Sequence, residues 1–164
     1  MICSLRKSAL DNTKNIMQNN LNFETIQLGD SIPELVKAPI TRTQLALFAG
    51  ASGDHNPIHL DDAEAQAGGL SGVIAHGMLN MAFLAQVLTE WLPQTAVRSF
   101  KSRFAAMAYP GDIITCKGVV CVKINESGEN LLDLDLLAEN QNGEVLLKGS
   151  ATVALHTKNT VEYM

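Results

Sequence analysis

Asp54 and His59 stand five residues apart in the segment Gly53-Asp54-His55-Asn56-Pro57-Ile58-His59. Both side chains titrate, and a carboxylate with an imidazole is what proton transfer to and from a small molecule requires. Pro57 lies between them and restricts the backbone, so the two groups are presented in a fixed relation. A second signal follows at Ala75-His76-Gly77-Met78, where a glycine opens a long apolar stretch. A helix start there offers unpaired backbone N–H groups and the positive end of the helix dipole. Glycine lets an oxygen approach that N–H closely. An acid/base pair beside an anion hole is the equipment of an enzyme.

The order of these residues is also informative. The chain reads Phe48, then Ser52-Gly53-Asp54-His55-Asn56-Pro57-Ile58-His59-Leu60-Asp61, Ala65, then Ile74-Ala75-His76-Gly77-Met78-Leu79. A third element, Arg103-Phe104 with Tyr109-Pro110-Gly111-Asp112, follows. This pattern resembles the MaoC-like (R)-specific enoyl-CoA hydratase and dehydratase family over residues 28–155, with Met107 where many relatives have proline. The resemblance implies the hot-dog fold, an antiparallel sheet wrapped around a long central helix. It implies reversible hydration of trans-2-enoyl thioesters to (R)-3-hydroxyacyl thioesters, with Asp54 and His59 activating a water and the Gly77 N–H stabilising the thioester enolate. No cofactor is implied beyond the coenzyme A or acyl carrier protein that is part of the substrate. The implied partners are that acyl thioester and a second chain, in a homodimer or in a heterodimer with a related hot-dog chain.

Neighbouring residues have plainer readings. Asn56 suits holding the loop by side-chain-to-backbone bonds, and His76 suits a helix-start residue packed against that loop; both are kept as candidate substrate-binding residues. His55 is expected to be exposed, and Asp61 and Asp62 to be solvated charges at a helix start. Arg98, Lys101 and Arg103 fall on or near one strand, but a solvated strand face explains them better than an anion site does, and they are not taken as ligands.

These residues need a scaffold. At 164 residues, with 46% hydrophobic and 18% charged residues, the chain supports one domain with a full core. The net charge of −5 argues against a nucleic-acid surface. No apolar run is long enough for a membrane span. Three scattered cysteines fit a reducing compartment, the cytoplasm, and the absence of a Cys-x-x-Cys pair argues against a metal site. Residues 1–20 read as a flexible extension, 21–156 as a single MaoC-like hot-dog domain, and 157–164 as a tail.

Within that domain the fold class is α+β. Leu21 to Ile26 reads as a first strand and Val36 to Ile40 as a short edge strand around Pro39. Thr41 with Gln44 three residues on forms a capping box for a helix ending near Gly50. Asp61 to Gln66 is a short helix stopped by Gly68-Gly69. Met78 to Leu92 is apolar all round, hence buried on most sides, and Pro93 ends it. The remainder alternates as strands: Val97 to Met107, Ile113 to Ile124, a strand carrying Leu132, Leu134, Leu136 and Ala138, and a last one after the Asn142-Gly143 turn.

Three other functions fit parts of this pattern: the catalytic subunit of a heterodimeric 3-hydroxyacyl-carrier-protein dehydratase, a hot-dog thioesterase, and a non-catalytic acyl-binding partner subunit. A thioesterase would want its carboxylate on the central helix, where only Glu90 is available, near the far end.

Overall fold

The computed structural model describes residues 21–126 and 128–155. The extension read for residues 1–20 and the tail read for 157–164 lie outside them. The elements in chain order are β1 (Leu35–Val36), α1 (Arg42–Ser52), a 3₁₀ turn (Pro57–His59), α2 (Asp62–Ala67), α3 (Gly77–Trp91), a second 3₁₀ turn (Gln94–Ala96), β2 (Val97–Phe104), β3 (Thr115–Glu126), β4 (Glu129–Glu139) and β5 (Val145–Leu155).

The five strands form one antiparallel sheet in the order β1-β3-β4-β5-β2. Alternation on β4 decides which face is inside. Leu132, Leu134, Leu136 and Ala138 are buried, while Asp133 and Asp135 face outward. Ala151 and Val153 of β5 and Cys116 and Val120 of β3 complete the inner face. Against this face lies α3, with Leu79, Phe83, Leu84, Val87, Leu88 and Trp91 buried and only Met78, Thr89 and Glu90 exposed. A helix so fully enclosed needs a curled sheet around it, and the result is the hot-dog architecture. No helix among the described residues is long and apolar enough to cross a membrane.

Some local expectations change. Leu21 to Ile26 is no strand: Asn22 turns the chain, its carbonyl accepting from Thr25 and Ile26 N–H and its side chain from Glu24 N–H. Such local side-chain bonds compete with a ladder. Of Val36 to Ile40, only Val36 is in the ladder with β3, together with Leu35 before it, and Pro39 cannot donate. Thr41 caps α1 through the Gln44 N–H as expected. The helix runs past Gly50 to Ser52 and stops at Gly53, whose φ of 75° is the left-handed cap a glycine supplies.

Candidate active site

The loop after Gly53 is shaped by its own polar side chains. Asp54 N–H donates to Ser52 Oγ, and Asn56 Oδ1 accepts from Ile58 N–H, capping the 3₁₀ turn that Pro57 begins. Asn56 therefore spends its side-chain oxygen on the loop. His55 is exposed.

His59, at the end of that turn, is buried, with 8% exposure. The reason is an anchor from the next segment. His59 Nδ1–H donates to the Ile74 carbonyl at 2.9 Å, and Ile74 N–H donates back to the Ile58 carbonyl at 3.2 Å. A carbonyl can only accept, so the proton sits on Nδ1 and the Nε2 lone pair is available. Nε2 lies 3.9 Å from Asp54 Oδ2, and the Asp54 side chain is 47% exposed. That separation is too long for a direct hydrogen bond. One water donating to both, at roughly 2.8 Å each, spans it at an angle of about 90°.

His76 brings the helix start to the same place. It is fully buried. Its ring stacks on His59 with centroids 3.9 Å apart and planes inclined by 25°, and its Nε2–H donates to the Asp54 carbonyl at 3.1 Å. Burial, first, holds its pKa below the ordinary value of 6.5; a nearby charged His59 acts in the same direction, while the Asp54 carbonyl and carboxylate oppose it. Position 76 is legible as the residue before the helix, but its contacts with both acid/base candidates depend on the tertiary fold.

Asp54, His59 and His76 each place one potential ligand atom within 4.8 Å of the others. A shared metal ion would have to lie in both imidazole planes. Planes this nearly parallel intersect well outside the rings, so the cluster suits proton transfer better than metal binding.

The Gly77 N–H opens α3 and, among the described residues, has no acceptor. First-turn N–H groups have no intrahelical partner, and fifteen residues of helix dipole lie behind this one. Phe104, at the end of β2, lies against Gly77; its Cε1 would be 3.0 Å from a β-carbon there. Phe104 and Met78 are both substantially exposed. They give Gly77 an apolar rim that the sequence pattern alone does not identify.

The frame around the site is tied by Asp62, which is not a freely solvated charge. Its carboxylate pairs with Arg42 at 2.6 Å and accepts from Val73 N–H at 2.9 Å, so α1, α2 and the segment before α3 meet there. Arg42, first, and then the Val73 N–H hold the Asp62 carboxyl below its ordinary range. Asp61 caps α2 through the Ala63 and Glu64 N–H groups. Among the candidate cations, Arg98 is engaged by Glu129 and the Thr95 carbonyl.

Residues 25–135 match the family model described as a MaoC like domain. An (R)-specific enoyl-CoA hydratase of Rhodospirillum rubrum is 34% identical over 133 residues, covering 80% of this chain and 89% of that protein. An enoyl-CoA hydratase of Mycobacterium tuberculosis is 31% identical over 120 residues; the match covers 71% of this chain, which spans only 40% of that relative's length. Among solved structures, the unliganded R-hydratase PhaJ1 of Pseudomonas aeruginosa superposes with a TM-score of 0.71 at 28% identity, covering 82% of this chain and 86% of that one.

Proposed function

Because this chain belongs to the MaoC-like domain family, we propose that it is a hydro-lyase that reversibly hydrates trans-2-enoyl thioesters to (R)-3-hydroxyacyl thioesters. The observation that carries this reading is the 3.9 Å gap between Asp54 Oδ2 and the lone-pair nitrogen of His59. A water held there donates one hydrogen bond to each base and presents its own lone pair to carbon 3 of the enoyl group. As the C–O bond forms, His59 Nε2 takes one proton and electron density moves through the double bond to the thioester oxygen. The Gly77 N–H meets that developing charge, a contribution on the order of 3 kcal/mol for a well-placed donor. Return of that proton from His59 to carbon 2 restores the neutral imidazole and completes the addition of one water, and dehydration runs the same steps backward. The (R) configuration is carried over from the name of the Rhodospirillum rubrum relative.

The thioester itself, on coenzyme A or on an acyl carrier protein, supplies the electron sink, so no further cofactor or metal enters this scheme. Glu90 lies thirteen residues beyond Gly77 on α3, about 20 Å along the axis, which disfavours a thioesterase using a helix carboxylate beside the anion hole. Association with a second hot-dog chain is part of the proposal. Among the described residues the edge strand β2 pairs only with β5, and it ends at Phe104, part of the apolar rim beside Gly77. The odd cysteine count favours a cytoplasmic setting.

The test is turnover of short, medium and long trans-2-enoyl-CoA esters, followed by loss of the conjugated-enoyl absorbance. Asp54→Asn and His59→Gln are each expected to reduce turnover by at least roughly 10²-fold. Near wild-type turnover in both variants would overturn the assignment.

A further inference from the structure

His76 has an unusual set of neighbours for a helix-start residue. It occupies the N-cap position of α3, yet its side chain makes no capping bond to its own helix. Instead the imidazole is clasped between two rings. His59 stacks on it at 3.9 Å, and Phe48 of α1 meets it at 5.0 Å with a 59° tilt. Its Nε2–H holds the main-chain carbonyl of Asp54, and the next residue in the chain is Gly77. The Nδ1 atom is buried without a donor, as is Oδ1 of Asn80 one helical turn on. With the proton on Nε2 to serve the Asp54 carbonyl, this ring has no second N–H to place.

We infer that His76 is the positioning residue of this site: one buried imidazole fixes the Asp54 main chain, backs the His59 ring and begins the helix whose first N–H is the anion hole. Three groups that must converge on one water and one thioester are thereby referred to a single rigid body. Misplacement of about 1 Å in such a constellation can cost 10²-fold in rate. A second cation in the stack would oppose the positive charge His59 acquires when it takes the proton from water. The titratable groups acting on His76 are Asp54 and His59. This inference rests on the hydratase reading for its kinetic half only.

Two variants separate the contacts. His76→Phe keeps a flat ring between Phe48 and His59 and loses the bond to Asp54. His76→Gln keeps an N–H donor for the Asp54 carbonyl and loses the stack. Each is expected to lower kcat by at least about tenfold, with KM changing less. The His59 ring signals, followed by NMR without substrate at one fixed pH, are expected to shift in His76→Gln, because the ring stacked on them is gone. A structural role alone would reduce activity only in proportion to the unfolded fraction and leave the His59 signals where they were; that result overturns the inference, as does wild-type kcat in both folded variants. Should His76→Phe fail to fold, His76→Gln carries both the kinetic and the NMR test. If the wild-type protein hydrates no enoyl thioester, the hydratase reading fails, while the His59 signals in His76→Gln still decide whether His76 backs that ring.

Discussion

The Phe104 ring packs directly on Gly77, with Cε1 at 3.0 Å and Cδ1 at 3.3 Å from the place a β-carbon on residue 77 would take. Glycine at this position therefore does two things: it leaves a backbone N–H open at the start of α3, and it makes room for an aromatic ring from the edge strand. The approach of a thioester accounts for Gly77 from the sequence; the ring provides a second reason.

Gly77→Ala is accordingly expected to destabilise the protein, because the ring must shift by a few tenths of an ångström, and to lower turnover as well. Overpacking of this kind costs about 1–3 kcal/mol, toward the lower end where a half-exposed ring can yield. Combining it with Phe104→Ala should return the melting temperature to that of Phe104→Ala alone. A double-mutant cycle with no coupling would mean that the ring is not what the glycine accommodates.

Asp54 and His59 should separate in their effects on stability. Asp54 is half exposed, and among the described residues its carboxylate accepts one long hydrogen bond, from Asn56 N–H at 3.4 Å, so Asp54→Asn should fall within about 0.5 kcal/mol of wild type. His59→Ala removes a buried ring from the stack and leaves the Ile74 carbonyl without its donor, at a cost of about 1–3 kcal/mol. Urea unfolding of both variants provides the comparison.

The pKa of His76 is lowered in the folded chain from 6.5. The unfolded chain therefore takes up this proton at higher pH than the folded chain does. The sign follows: the contribution to stability is fully present above the unfolded value of 6.5 and is lost as pH falls from there toward the folded value. Melting temperature should decline through that window, and His76→Phe should show a shallower decline over the same range. Equal slopes in the two proteins would contradict the assignment of a suppressed His76 charge.

Asp62 holds the segment before α3 through the Val73 N–H and is itself held by Arg42. Asp62→Ala should raise exchange of the Val73 amide at least about tenfold through local opening. Asp62→Asn keeps an acceptor and should keep most of the protection. Hydrogen exchange read at single-residue resolution tests both.

The exposed edge and rim predict association. Sedimentation at micromolar concentration should reveal a species of twice the 17.7 kDa chain mass, either alone or after addition of a related hot-dog chain. A persistent single-chain species that hydrates enoyl thioesters at full rate would remove the partner from the proposal.

The sequence by itself determined the central helix, the alternation of β4 and the pairing of Asp54 with His59 in one short loop. These features depend on patterns local in sequence: Leu132, Leu134, Leu136 and Ala138 recur at the strand period, Met78 to Leu92 is apolar on all sides, and Pro57 fixes a short loop between two titratable groups. It was misleading at Leu21 to Ile26, where Asn22 captures backbone N–H groups that periodicity alone assigns to a ladder. What only the tertiary structure decided depends on contacts between distant segments. His59 is buried because Ile74, fifteen residues on, accepts its Nδ1–H. The tautomer, and with it the basic nitrogen, follows from that one bond. His76 becomes central to the site because the path of α3 against the loop stacks two imidazoles. Phe104 reaches Gly77 because the sheet order carries β2 to the edge beside the helix start. Residue types and short spacings can name the groups able to move a proton; the directions in which their lone pairs point are set by long-range packing.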